Sequence, residues 1–268
     1  TEVKIFKNDD KAGKNVECPK AKDIFNPTDD EQGEICFRGR HIMTGYMANP
    51  DLGADHLKTI QGKLDSAIDS DGWLHSGDKG CMGVNGMVKI TGRYKHLLIG
   101  AGGENVAPIP IENEVKKQCP AISNCMMIGD KKPFMAAFVT LKAKGATGNE
   151  PGGDDLDEEA LSVDSSVTKI SEAVQSEKYK KYIVDCIIKA NKEAAPNNAS
   201  TIKKICILPR DFSVATNELT PTLKLKRGVV VKMNQAAVDA IYNAPKNMTV
   251  VPYPITLSEK NSEPSKEE

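Results

Sequence analysis

Between Glu177 and Ala194, Tyr179, Tyr182, Ile183, Cys186, Ile187 and Ala190 recur at i, i+3, i+4, i+7, i+8 and i+11. That spacing lines them along one face of a helix, and Pro196-Asn197-Asn198 stops it. A one-sided apolar stripe of this length has to be buried against another surface. It reads as core, with a strand pattern at residues 202–208 directly behind it. From Lys95 onward the chain keeps alternating in this way. Residues 97–99 read as a strand, and Pro108 and Pro110 open a helix through Lys117. Residues 124–128 and 133–141 read as two strands around the turn Gly129-Asp130-Lys131-Lys132. Residues 227–242 read as a final helix. This texture predicts a compact α/β domain.

Residues 1–92 have another texture, with short strands separated by turn chemistry. Val3-Lys4-Ile5-Phe6, the run around Ile35 and Phe37, and Val88-Lys89-Ile90-Thr91 alternate at period two. Asn49-Pro50-Asp51 supplies a cap and an early proline for a short helix through about Leu57, interrupted by Gly53. Together these predict a small β-rich subdomain, a sheet or a barrel-like arrangement, and the fold class is α/β, mixed with α+β. Residues 144–159, rich in Gly, Asp and Glu, read as a solvated, mobile insertion. Residues 246–268 read as a polar, disordered tail.

The 268 residues are enough for one large or two modest domains. A net charge of -1 and only 5% aromatic residues exclude a basic, base-stacking nucleic-acid surface. The seven cysteines stand singly, without CxxC spacing, and read as reduced, buried thiols of an intracellular protein. No apolar run approaches membrane-spanning length. The chain begins at Thr1 and enters a strand pattern at once, which reads as a fragment of something longer.

Four blocks carry chemistry. In Ser76-Gly77-Asp78 a carboxylate follows a glycine turn, where it can accept two hydrogen bonds from a vicinal diol; the plain alternative is an ordinary turn. Arg93 follows a strand and can reach ribose or phosphate in fork geometry, or serve as an exposed ion-pairing arginine. Lys95 and His96 sit where the texture changes, a place suited to a hinge. Gly100-Ala101-Gly102-Gly103-Glu104-Asn105 matches neither a dinucleotide fingerprint nor a phosphate loop, and permits close backbone approach or simply a tight turn. Lys224 and Lys226 share one side of a predicted strand over residues 222–226, with Leu223 and Leu225 on the other. A lysine there can stabilise charge during acyl transfer to phosphorus, or it can guard a solvated edge. The four histidines show no metal-ligand spacing, and no protein-bound metal is expected.

In their order and spacing these blocks resemble the C-terminal part of an adenylate-forming, AMP-binding long-chain fatty acid CoA ligase, in its bubblegum-type branch. The residues carrying the resemblance are Gly33-Glu34-Ile35-Cys36-Phe37-Arg38-Gly39-Arg40-His41, residues 71–78, 91–95 and 101–106, Ile109-Pro110-Ile111-Glu112, Ile128-Gly129-Asp130-Lys131, and residues 218–227. The resemblance implies that residues 1–94 are the end of the large AMP-binding domain and residues 95–245 the small lid domain. It implies that Asp78 and Arg93 hold the ribose of ATP or AMP and that Lys95 is the hinge. Gly102, Gly103 and Glu104 would form the loop lining the coenzyme A tunnel, and Lys224 the adenylation lysine.

The implied partners are a fatty acid, ATP with Mg²⁺, and coenzyme A, together with the missing N-terminal half of the enzyme. The implied setting is cytoplasmic, at a membrane surface such as the endoplasmic reticulum. Two departures qualify the match. His96 stands where relatives carry an acidic residue. The phosphate loop, the adenine-binding motif and the Thr-Glu motif have no counterpart here, so the fragment alone is expected to be inactive. A stand-alone lid or binding module, or a ligase for a different carboxylic acid, are the alternative readings.

Overall fold

The computed structural model of the chain describes residues 1–7 and 15–254, without the side chain of Lys95. The chain divides into two compact units, Thr1–Leu97 and Leu98–Glu268. In the first, β1 (Glu2–Phe6), β2 (Gln32–Arg38), β3 (Leu74–Met82) and β4 (Val88–Arg93) form an antiparallel sheet in the order β1-β2-β3-β4. This meander is open, so of the sheet and the barrel that the sequence allowed, the described strands form the sheet. Neighbours in sequence are neighbours in space, as short turns dictate. Period-two alternation sends Ile5 and Ile35 to one face with Cys18, and Phe6 and Cys36 to the other with Trp73. Gly33 is required where the strands converge, because a Cβ there would stand 2.1 Å from the Phe6 carbonyl oxygen.

The helical segment after Asn49 is longer than its sequence suggests. Asn49 caps a single 3-10 turn, Pro50–Leu52, and Gly53 at φ +84° breaks it. A separate helix, α1 (Ala54–Ala67), then runs on, with none of its residues buried. Its apolar residues are too sparse to announce a core face, which is why only its first turn is readable.

The second unit opens with a hairpin of β5 (Leu98–Ile99) and β6 (Asn105–Val106), followed by α2 (Pro108–Gln118). Its sheet has the order β7 (Ile122–Ile128), β8 (Met135–Leu141), β9 (Ile202–Ile207), with β7 antiparallel and β9 parallel to β8. Between β8 and β9 the chain passes through α3 (Glu158–Leu161), α4 (Ile170–Ala173) and α5 (Glu177–Ala194). After β9 come α6 (Arg227–Met233) and α7 (Gln235–Asn243).

Every residue of β8 is buried, because both faces of the sheet are covered. Met127, Ala137, Val139 and Ile205 face the core shared with α2 and α5. Met126, Phe138 and Cys206 face the core shared with α6 and α7. The stripe Tyr179, Ile183, Cys186, Ile187 and Ala190 is buried as its spacing requires. All seven cysteines are buried and free.

Three further expectations need correction. The final helix is two helices, broken at Asn234, whose side-chain amide donates to the Val230 carbonyl. Residues 144–159 are tied down: Lys144 N–H bonds to the Asp155 carbonyl, Leu156 is buried, and the Asp154 carboxylate accepts from Ser171. Carboxylates acting as caps replace the apolar contacts that this segment lacks. Residues 246–254 are also packed, with Val250 bridging Ile205 and Val251 buried, whereas the remainder of the expected disordered tail, from residue 255, lies outside the described residues.

Candidate functional site

Asp78 and Arg93 are register partners on β3 and β4. Arg93 Nε donates to Asp78 Oδ1 at 2.6 Å, so the two side chains stand side by side as an ion pair. Asp78 Oδ2 makes no hydrogen bond among the described residues and remains an acceptor for a hydroxyl. The turn before Asp78 is held from β2. Gly77, at φ +72°, donates its N–H to Glu34 Oε1 at 2.8 Å, and the Ser76 hydroxyl donates to the Ile35 carbonyl at 2.6 Å. The same hydroxyl accepts the Asp78 N–H at 3.0 Å.

Behind this turn His75 lies between two carboxylates. Its Nδ1 is 2.8 Å from Glu34 Oε2, and its Nε2 is 3.4 Å from Asp69 Oδ2. Burial works against its charge, but the Glu34 hydrogen bond and charge, joined by Asp69, raise its pKa above the usual histidine value. Burial likewise opposes ionisation of Asp69. Hydrogen bonds from Asn15, the Trp73 N–H, His75 and the Asp71 N–H outweigh it and bring its pKa down to about 2. Burial, then the Glu34 and Asp69 charges, push the Cys36 thiol up to about 12. Glu34, Cys36 and His75 thus offer three donor atoms within 4.8 Å of one another. Hydrogen bonds already occupy them: Gly77 and His75 take the two Glu34 oxygens, and Cys36 Sγ is 3.5 Å from His75 Nδ1.

In the second unit Gly100-Ala101-Gly102-Gly103-Glu104 joins β5 to β6. Gly103 adopts φ +86°, and its N–H bonds to the Gly100 carbonyl at 2.9 Å. A Cβ on Gly102 would meet only the movable end of the Glu104 side chain, so the loop is a tight turn that needs glycine at Gly103, for its positive φ. It borders a cavity of about 240 Å³ whose lining includes Gly102, Glu104, Lys132, Phe134 and Lys203. Lys95 sits by its backbone in a 3-10 turn, Tyr94–His96, just before the boundary between the two units.

Lys224 is not on a strand. Pro221 and Thr222 occupy the centre of a turn in which Leu223 N–H bonds to the Thr220 carbonyl at 2.8 Å, and Leu223 adopts φ +57°. Proline favours that turn position over a continuing ladder. Leu219 and Leu225 bridge antiparallel, and Lys226 N–H bonds to the Glu218 carbonyl, so Lys224 stands on the returning arm of a tight hairpin. Leu223 is exposed rather than facing inward with Leu225, and the Lys226 ammonium is engaged by Asn217 at 2.6 Å. The Lys224 side chain is exposed and makes no hydrogen bond or ion pair among the described residues.

Both ends of this hairpin are pinned. Arg210 forks onto Glu218, a buried carboxylate that also accepts the Thr216 hydroxyl. Arg227 forks onto Glu112, which is buried and also accepts the Met127 N–H at 2.6 Å. Glu112, Glu218 and Arg227 lie in blocks that carry the resemblance, but the Arg227–Glu112 and Asn15–Asp69 contacts join residues so far apart that no spacing announces them. Asp78 and Arg93 belong to the first unit, and the Gly102 loop and Lys224 to the second.

Residues 95–176 match the family described as the AMP-binding enzyme C-terminal domain. The chain is 44% identical over 225 residues to the long-chain-fatty-acid CoA ligase ACSBG2 of Gallus gallus, covering 82% of this chain and 28% of the relative. It is 40% identical over 220 residues to the long-chain-fatty-acid CoA ligase ACSBG1 of Homo sapiens, covering 80% and 29%. The chain therefore spans under a third of the length of these curated relatives. Among solved structures, the adenylation domain of a carboxylate reductase from Mycobacterium chelonae superposes with a TM-score of 0.64 at 19% identity, covering 91% of this chain and 31% of that one. The corresponding domain from Segniliparus rugosus, in complex with AMP and a co-purified carboxylic acid, gives 0.62 at 18% identity, covering 90% and 31%. Those two likenesses show the fold alone; residues 95–176 carry the AMP-binding enzyme C-terminal domain, and over four fifths of its length the chain is similar to part of the bubblegum-type long-chain-fatty-acid CoA ligases.

Proposed function

We propose that this chain is the C-terminal part of a long-chain fatty acid CoA ligase. The observation that carries the reading is the 44% identity over 225 residues, a span longer than either unit alone. The fatty acid carboxylate attacks the α-phosphorus of ATP, the bond to pyrophosphate breaks, and acyl-AMP forms. The coenzyme A thiol then gives up its proton and attacks the acyl carbon, and AMP leaves. Asp78 and Arg93 take the nucleotide ribose, with Oδ2 of Asp78 accepting from the diol. Lys224 contacts the acyl carboxylate and the α-phosphate while negative charge rearranges between them. Its free ammonium, on a hairpin pinned at both ends, suits that task. Mg²⁺, when bound, neutralises phosphate charge, and no residue of this chain is assigned to it.

For the second step Lys95 is the hinge and the loop at Gly102, Gly103 and Glu104 meets the pantetheine arm. The positive φ of Gly103 and the small residues around it allow such close approach. Separating the two steps by domain motion keeps water from the reactive anhydride. Access to a lipid substrate favours a membrane surface, such as that of the endoplasmic reticulum. No helix of the described residues is long and apolar enough to cross a membrane.

The test is carried out on the full-length protein that contains this chain. Palmitate-dependent exchange of pyrophosphate into ATP, with palmitoyl-CoA as product, is the expected result. Preference for a short or aromatic acid would move the substrate class. Absence of exchange with every carboxylic acid tried would favour the non-catalytic binding module.

A further inference from the structure

The described turn from Asp69 to Asp78 is held by side chains that the proposed chemistry does not use. Asp69 Oδ1 accepts the N–H groups of Asp71 and Trp73, both at 2.9 Å, which closes the turn. Asp69 Oδ2 faces His75 Nε2, and the Asn15 amide donates to it at 2.7 Å. His75 Nδ1 meets Glu34 Oε2, while Glu34 Oε1 receives the Gly77 N–H. Glu34 therefore holds both the ring of His75 and the backbone one residue before Asp78. Only an imidazolium can donate from both ring nitrogens at once. A neutral ring keeps a single N–H, so it can donate to Glu34 or to Asp69 but not to both, and the charge that both carboxylates face is gone.

We propose that His75, clamped between Glu34 and Asp69, is a positioning residue that sets the Gly77–Asp78 turn for the ribose of a bound nucleotide. The inference rests on the reading of Asp78 as the ribose ligand. The groups facing the ring are Glu34 and Cys36 from β2 and Asp69 from the turn before β3. Tyr94, after β4, faces the Glu34 and Cys36 side of the cluster. Arg38 on β2 faces Asp69 and Asp71 from above the Trp73 ring. The carboxylates outweigh the burial cost of the imidazolium, in keeping with the raised pKa of His75. Because that pKa is raised, the clamp is complete below the ordinary histidine pKa of about 6.5. It is lost as pH climbs through the higher folded value.

In the full-length protein, the KM for ATP in pyrophosphate exchange is measured from pH 6 to 9 for wild type, His75→Gln, Glu34→Gln and Asp78→Asn. The wild-type KM is expected to rise with pH as His75 loses its proton. His75→Gln should raise KM about five- to tenfold at low pH and remove the pH-dependent rise, with kcat little changed. Glu34→Gln keeps an acceptor for Gly77, protecting the fold, and should likewise flatten the profile. Proton NMR of the 268-residue chain should show His75 titrating above the ordinary value, and lower in Glu34→Gln. If Asp78→Asn raises KM while His75→Gln and Glu34→Gln leave both KM and its pH profile unchanged, the positioning role is wrong and the ribose reading stands. If Asp78→Asn has no effect on KM, both fall.

Discussion

Arg227 forks onto both carboxylate oxygens of Glu112, joining the first turn of α6 to α2. Glu112 Oε1 also takes the Met127 N–H, so one carboxylate ties a helix, a strand and the segment three residues beyond Lys224. The pair is nearly enclosed, with 18% and 7% of the two side chains exposed. Breaking a buried pair from one side leaves a charge without its partner and costs about 3–5 kcal/mol.

Arg227→Met is therefore expected to destabilise the second unit by about 3 kcal/mol, read from the urea midpoint of unfolding. Combining it with Glu112→Gln, which removes the stranded charge and keeps an acceptor for Met127, should recover part of that loss. A double mutant no more stable than Arg227→Met would show that packing outweighs charge at this pair.

Lys224→Ala addresses the chemistry directly. The side chain is exposed and unbonded among the described residues, so its removal should leave the unfolding midpoint within about 0.5 kcal/mol of wild type. In the full-length protein, acyl-adenylate formation is expected to fall by about 10²–10³, the size of losing one well-placed charge-stabilising donor. Thioester formation from supplied acyl-AMP should be much less affected. Equal damage to both half-reactions would remove Lys224 from the adenylation step.

The fold was most legible where periodicity is forced by burial. The α5 stripe, the strand at 135–141 and the turn at Gly129 all follow from apolar spacing and turn chemistry. What escaped was structure held by polar anchors. Residues 144–159 look unstructured by composition, yet Asp154 and the Lys144–Asp155 bond fasten them. The Lys224 segment alternates like a strand, but Pro221 and the positive φ of Leu223 turn it into a hairpin. Asp78 and Arg93 could be named from the resemblance, since each of their turns alone reads as an ordinary one. The cluster of Glu34, His75, Asp69 and Asn15 behind them could not, because a strand and two loops distant in sequence bring it together.

Leu223 provides a test of that hairpin. Its φ of +57° is costly for a residue with a branched side chain, by roughly 1 kcal/mol. It is half exposed, so little burial is at stake. Leu223→Asn is expected to raise stability by up to about 1 kcal/mol, because asparagine tolerates this conformation. Leu223→Val should lower it by a similar amount, since β-branched side chains are poorly suited to positive φ. The order Asn above Leu above Val in thermal midpoint checks the turn independently of any activity.

Acid unfolding tests the Asp69 cluster. The Asp69 pKa falls from an ordinary 3.8 to about 2 in the fold, so the folded state favours its ionised form. A depressed carboxylate contributes stability that is present above the unfolded pKa and is lost as pH drops through the folded value. The window is therefore between about pH 4 and pH 2, and the contribution is up to about 2 kcal/mol. His75 acts with the opposite sign, its share fading only as pH rises above about 6.5. Asp69→Asn should therefore lower stability at pH 6 and leave it nearly unchanged near pH 2, where the wild-type carboxylate is itself half protonated. A difference between wild type and Asp69→Asn that stays constant from pH 6 to pH 2 would mean that the turn is held by shape alone, without help from the charge on Asp69.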